Sequence, residues 1–307
     1  MGPLSRRPQI TGVDATVASR KVLRTRTPGV RRRRLLAGVV NHTLALTLAA
    51  FFLTPFVFIV ATSLMTKQQA LSSDLWPNPF VWSNFGEVST LFPIFRYALN
   101  TLVYAGLSTV GVVLSSVPVA YALSRIQWRG RQFVFVLILA TMMLPSQVTS
   151  VPLYVVFVNL GWIGSLKPLI IPTFFGDAFS IFLLRQFFAT IPTELSDAAR
   201  VEGAGELGIL WHVIVPLAKP AIAAVALFQF LFAWNDFFDP LIYTGNSQNT
   251  TFAVALSQLS NAVEVHYGVL WNVQMAASLL FLLPVIIVFL MAQRVFIEGV
   301  TLTGVKG

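Results

Sequence analysis

Six stretches of the chain are apolar and nearly free of charge, and short polar or proline-containing segments separate them. They run at about 43–64, 98–123, 133–158, 168–189, 217–243 and 273–293. An α-helix rises 1.5 Å per residue, so about 20 apolar residues cross a ~30 Å hydrocarbon layer. The pattern therefore predicts an all-α, polytopic membrane protein of six spans. The spans differ in character. The second carries the small residues Ala105, Gly106, Ser108, Gly111, Ser115 and Ser116, which let helix backbones approach closely. The third is expected to break at Pro145-Ser146-Gln147 and again at Val151-Pro152; a break at membrane depth is tolerated where protein or a wet cavity covers it. The fifth contains Gln229, Trp234, Asn235, Asp236 and Asp239. An ionisable group at the bilayer centre costs on the order of 2.5–3.5 kcal/mol, and such groups normally face a bundle interior or a water-filled path. These two aspartates lie near the outer end of the span, so hydration at the interface and a place on a pathway both remain open.

Charge sharpens this reading. The chain has 307 residues, 56% hydrophobic and 11% charged, with a net charge of +9, against about 25% charged in soluble domains. Ten basic residues and one acid, Asp14, fall within residues 1–34, and residues 35–307 balance eleven basic against eleven acidic. The whole net charge thus sits on a tail, which is expected to be cytoplasmic and disordered, ahead of a membrane domain at 35–307. A nucleic-acid-binding surface would spread basic residues among aromatics over a folded face, so no nucleic-acid partner is expected. With no cysteine, disulfides, cysteine-ligated zinc and thiol catalysis are excluded. His42, His212 and His266 lack ligand spacing and are read as structural, and no metal is expected. The first stretch is longer than the 7–15 residues of a signal-peptide core and has no small-x-small cleavage site, so it is read as a retained span. The Ser5-Arg6-Arg7 start lies too far from it to form a twin-arginine signal. With the N-terminus inside, 18 Lys and Arg residues fall on the cytoplasmic side and 3, Lys67, Arg96 and Lys167, outside. That bias predicts both termini in the cytoplasm.

One cytoplasmic loop departs from the basic pattern. Residues 191–220 read IPTELSDAARVEGAGELGILWHVIVPLAKP and hold four acids, Glu194, Asp197, Glu202 and Glu206. Pro192 can open a helix, and acids in its first turn suit the helix dipole. Leu195, Ala198, Ala199 and Val201 are expected to pack it. Gly203 and Gly205 permit a bend into a second helix, Glu206 to Ile214, which Pro216 and Pro220 are expected to stop. The product is a helix–bend–helix projecting from the membrane. Its acids make an anionic leaflet an unfavourable seat, so a partner protein is expected.

This loop resembles the EAA motif of ATP-binding-cassette importer permeases: Asp197-Ala198-Ala199-Arg200-Val201-Glu202-Gly203-Ala204, with Ile214-Val215-Pro216 following. Asp stands for the usual Glu and Glu for the usual Asp, and Gly205 replaces a frequent Ser or Asn. Further segments are similar to carbohydrate permeases of the maltose-transporter type. They are Ala120 to Arg125 with Gly130-Arg131, Val151-Pro152-Leu153-Tyr154, Ser180 to Phe188, Trp234-Asn235-Asp236, Phe296 to Gly299 and Gly304 to Gly307. They cover residues from about 43 to 307 in order and leave the basic tail outside.

The resemblance implies a type I importer bundle in the bacterial cytoplasmic membrane. A second permease subunit would complete the path, ATP-binding cassette subunits would bind beneath, and an extracytoplasmic solute-binding protein would deliver a carbohydrate. A polyol or glycerol-phosphate-type solute is the alternative. No G-x-x-x-x-G-K-[S/T] occurs, so the chain is read as a non-catalytic subunit without a cofactor of its own, with ATP and Mg on the partner. Asp197, Ala198, Ala199, Glu202, Gly203 and Ala204 are the expected ATPase contacts. Gln147, Gln229, Trp234, Asn235 and Asp236 are the expected substrate-path residues. Trp76 and Trp82, in outer segment 65–97, suit either a binding-protein surface, shared with 243–272, or an interfacial aromatic belt. Two rivals fit less well. A secondary transporter predicts inverted repeats, which are not evident, and a membrane enzyme requires a cluster of catalytic groups.

Overall fold

A computed structural model describes residues 28–245 and 247–303. Side chains are left aside at 28–36, 146, 260–267, 292 and 294–303. The first 27 residues of the expected tail, the last four of the chain and the His266 side chain lie outside this description. The described residues are helical, with no strand among them. The chain divides into residues 1–54 and residues 55–307. In the first unit the described backbone is the N-terminal part of α1, Pro28–Ser63, which thus begins inside the segment expected as tail. Its side chains, such as Leu46 and Phe51, are exposed and apolar, as a helix facing lipid requires. His42 Nδ1 lies 2.8 Å from the Gly38 carbonyl, within the helix.

The second unit continues with α2, Lys67–Ala70, α3, Ser83–Leu91, and the long α4, Ile94–Ser124. Then come α5, Arg131–Thr141, and α6, Ser146–Asn159. The stretch expected as a single third span, 133–158, is these two shorter helices, parted at Met142–Pro145. Pro152 does not break α6; it removes one backbone donor and leaves the helix continuous. Next, α7, Lys167–Ile170, passes through a 3₁₀ turn at Ile171–Phe175. After Gly176, α8, Ala178–Thr190, completes the fourth crossing. The loop follows with α9, Thr193–Val201, and α10, Glu206–Leu217. The second helix of the loop therefore runs past Pro216, which sits in the first turn of a renewed helical segment after a π-helical turn at Leu210–Ile214. It ends at Ala218, where the chain turns by 80° into α11, Lys219–Asn235. The fifth stretch breaks again at Asp236–Phe237, and α12, Phe238–Thr244, follows. The chain closes with α13, Phe252–Tyr267, and α14, Trp271–Thr303. Among the described residues four helical segments are long and apolar enough to cross a membrane alone, and α10 with α11 forms a bent fifth.

Helix α4 is the hub, packed against both α8 and α11. Its small residues make this possible. A Cβ on Gly111 would collide with Thr173 Oγ1 and the Phe174 ring, so the 3₁₀ turn lies directly on this face. Ser115 Oγ donates to the Thr173 carbonyl at 3.0 Å. One apolar cluster joins α4, α8, the loop and α11 through Val117, Phe188, Ile209, Ile214 and Val225. Another, near Trp234, joins α4, α6, α7, α11 and α12.

Candidate functional sites: the projecting loop and the membrane cavity

The loop is rooted by Arg125, which follows α4. Its guanidinium donates to the carbonyls of Phe188 and Ile191. It thereby satisfies the Ile191 carbonyl and gives the Phe188 carbonyl, which already accepts from the Ile191 amide, a second donor. Helix α9 then projects. Ser196 is buried and Ala199 half-buried against the cluster below, while Asp197, Ala198 and Glu202 are exposed. Of the four residues expected to pack the helix only Ala199 turns inward: Ala198 is exposed, Leu195 is 44% exposed and Val201 is 89% exposed. It sits five residues after Ser196, about 140° around the helix at 3.6 residues per turn.

Gly203 makes the bend with φ +88°, and no other side chain crowds its Cβ position. The requirement for glycine there is the left-handed backbone. Gly205 has an extended conformation and precedes α10. Four polar residues fasten the loop helices to each other and to α4. Arg200 Nη1 donates to Asp197 Oδ1 at 2.7 Å and Nε to Glu206 Oε1 at 3.0 Å. Glu206 Oε2 accepts from the Tyr121 hydroxyl at 2.6 Å. The Arg200 guanidinium, then the Tyr121 hydroxyl, hold the Glu206 carboxyl below the usual carboxylate range.

The second site is a cavity of about 270 Å³ among α4, α6, the α7–α8 segment, α11 and α12. Its polar lining is Tyr104, Thr149, Thr173, Asp177, Gln229, Asp239 and Tyr243, with aromatic faces from Phe157 and Phe232. A neighbouring hollow of about 400 Å³ shares Asp177, Gln229 and Phe232 and adds Phe179 and Phe228. Asp177 caps α8, accepting from the Ser180 amide at 2.7 Å and hydroxyl at 2.6 Å. Asp236, at the break after α11, accepts from the Tyr104 hydroxyl at 2.8 Å, and its other oxygen faces the Asp239 amide at 3.4 Å. Among the described residues no Lys, Arg or His lines either hollow. Among the described residues no group of three His, Asp or Glu is arranged to hold a metal ion.

Residues 111–301 match the family described as the binding-protein-dependent transport system inner membrane component. The chain belongs to that family. The permease is 33% identical over 265 residues to the arabinooligosaccharides transport system permease protein AraQ of Bacillus subtilis (strain 168), covering 85% of this chain and 92% of that protein. It is 35% identical over 253 residues to the sn-glycerol-3-phosphate transport system permease protein UgpE of Yersinia pestis, covering 80% and 88%. Among solved structures, it matches a chain of a bacterial ABC transporter involved in the import of the acidic polysaccharide alginate. The TM-score is 0.74 at 28% identity, over 86% of this chain and 97% of that one.

The permease places its sequence-predicted residues unevenly. Gln229 lies on the shared wall of the two hollows. Asp236 stands behind that wall, bonded to Tyr104. Trp234 is 1% exposed, stacks on Phe230 and Phe281, and donates to the Phe281 carbonyl at 3.2 Å. Asn235 is exposed and bonds to the Leu231 carbonyl in its own helix. Gln147 is exposed at the start of α6. The sequence reading missed Tyr104, Asp177 and Tyr243 as cavity residues and Arg125 as the root of the loop. An acid inside the fourth stretch was the available signal for Asp177. The two tyrosines gave none, because only packing of distant segments brings them together. In the loop, Asp197, Ala198, Glu202 and Gly203 face outward, and Ala199 and Ala204 turn toward the core.

Proposed function

We propose that the permease forms half of the translocation path of an ATP-driven importer for a carbohydrate. A solute-binding protein delivers the substrate outside, a second permease subunit completes the path, and partner ATPase subunits hold ATP and Mg beneath. Asp197, Ala198, Glu202 and Gly203 dock on the ATPase, while Ala199 and Ala204 seat the helix on the bundle. Both termini lie in the cytoplasm, and the basic residues of 1–34 precede the membrane domain at 35–307, where they favour anionic lipid. The observation that carries this reading is the exposed, polar-fastened helix–bend–helix. Such a projection presents Val201 and Leu207 to the surroundings, beside acids that disfavour a lipid seat.

The cavity supports the solute class. Sugars are held by stacking on aromatic faces and by hydrogen bonds to carboxylates and amides. Tyr104, Phe232 and Tyr243 with Asp177, Gln229 and Asp239 supply these groups, while Gln147, Trp234, Asn235 and Asp236 border or support the path. The UgpE likeness favours a second reading, glycerol phosphate. A phosphate would meet two carboxylates and no cation in this wall, and like charges juxtaposed in a binding site are costly. A neutral carbohydrate is therefore the better fit.

Gly203→Asp tests the coupling role. A side chain at positive φ costs about 1–2 kcal/mol in backbone conformation alone, and the added charge faces the docking surface. Uptake should fall to background and the ATPase should no longer co-purify. Normal uptake with normal assembly would remove the coupling assignment.

A further inference from the structure

Two tyrosines of α4 make the same kind of contact at opposite ends of the path. Tyr121 and Tyr104 are each 3% exposed. Each donates its hydroxyl to a carboxylate of another element, Tyr121 to Glu206 at 2.6 Å and Tyr104 to Asp236 at 2.8 Å. Seventeen residues separate them, about 25 Å along a helix. The lower contact continues through Arg200 to Asp197 on the projecting helix. The upper one reaches the cavity, because Tyr104 and Asp239 both line it and the Asp239 amide faces Asp236.

Between the two contacts α4 is gripped. Gly111 abuts Thr173 and Phe174, Ser115 bonds to the Thr173 carbonyl, and the Asp177 amide donates to Ser116 Oγ at 3.4 Å. Pro118 lies in this stretch without ending the helix. Apolar side chains can slide past one another under load. A buried hydroxyl that lets go of its carboxylate leaves a polar group unpaired, which is costly. Polar contacts at both ends of one stiff helix therefore transmit displacement where greasy contacts would slip.

We propose that α4 carries the movement of the projecting loop to the solute cavity, with Tyr121–Glu206 as the lower joint and Tyr104–Asp236 as the upper one. This rests on the importer reading above. Tyr121 and Glu206 are positioning residues: they touch neither solute nor ATP.

The absence of cysteine allows a single reporter. Phe232 lines both hollows and is 62% exposed, so Phe232→Cys reads the cavity. The importer, assembled with its partner subunits in proteoliposomes, is alkylated with a maleimide in the presence and absence of ATP and vanadate. The parent reporter should change its alkylation rate with ATP. Adding Tyr121→Phe should shrink that change by about five-fold or more, the lower range of ordinary site-to-site coupling, with assembly and ATP hydrolysis retained. Glu206→Ala should do the same, and Glu206→Gln, which keeps an acceptor for Tyr121, should restore most of the response. Tyr104→Phe should lose it from the cavity end. A full ATP response in assembled Tyr121→Phe overturns the proposal, and so does failure of that variant to assemble, which would make the tyrosine purely structural. A parent with no ATP response is a distinct result: it overturns the importer reading itself.

Discussion

Glycines at four positions show how local geometry divides structural need from permissiveness. Gly203 is required by its backbone conformation and Gly111 by its neighbours, whereas Gly106 has nothing within 4 Å of a Cβ and Gly205 adopts an extended conformation open to other residues. Gly111→Ala must push Thr173 and Phe174 aside. Overpacking of this kind costs about 1–3 kcal/mol, and it should appear as a lower melting temperature of the detergent-solubilised protein. Gly106→Ala should leave that temperature unchanged. Equal effects of the two substitutions would contradict the close approach of α4 to the 3₁₀ turn.

At the scale of elements, Arg125 holds the loop where α8 ends. Arg125→Ala would leave the Ile191 carbonyl without its donor, at about 1–3 kcal/mol for a buried acceptor left unpaired, while the Phe188 carbonyl would keep the Ile191 amide. Limited proteolysis should then cut within 191–205 faster than in the native protein; unchanged cutting would show that the loop is anchored elsewhere. Much of the element map was legible in the sequence because the bilayer imposes length. Apolar runs near 43–64, 98–123, 168–189 and 273–293 each coincide with a segment able to cross alone. The proline pattern was legible only in part. Pro145 marks a break, but Pro152 and Pro216 lie inside helices, since a single missing donor is tolerated where neighbouring turns hold the backbone. The break at Asp236 was hidden inside a run that composition alone reads as one span. Val201 was misplaced because an apolar residue in a short helix reads as inward until the buried face, here Ser196 and Ala199, is known.

For the molecule as a whole, the outline was plain in the sequence, while the cavity was not. A tail with all the net charge, a nearly uncharged body and one acidic projecting loop are linear features. Tyr104, Asp177, Gln229, Asp239 and Tyr243 come from separate segments and meet only when α4, α8, α11 and α12 pack. That arrangement places an aromatic wall bearing carboxylates within the bundle and a polar-fastened projection beyond it, the two parts that the proposed energy-coupled path needs. The most direct test is uptake of a neutral carbohydrate bound by the cognate binding protein, into proteoliposomes holding the permease with its partner subunits and the loaded binding protein. A hydrolysis-deficient ATPase is compared with the active one. Uptake that requires the active ATPase and disappears with the deficient one is the predicted result. Uptake that persists with the deficient ATPase, driven by an ion gradient, would contradict the account.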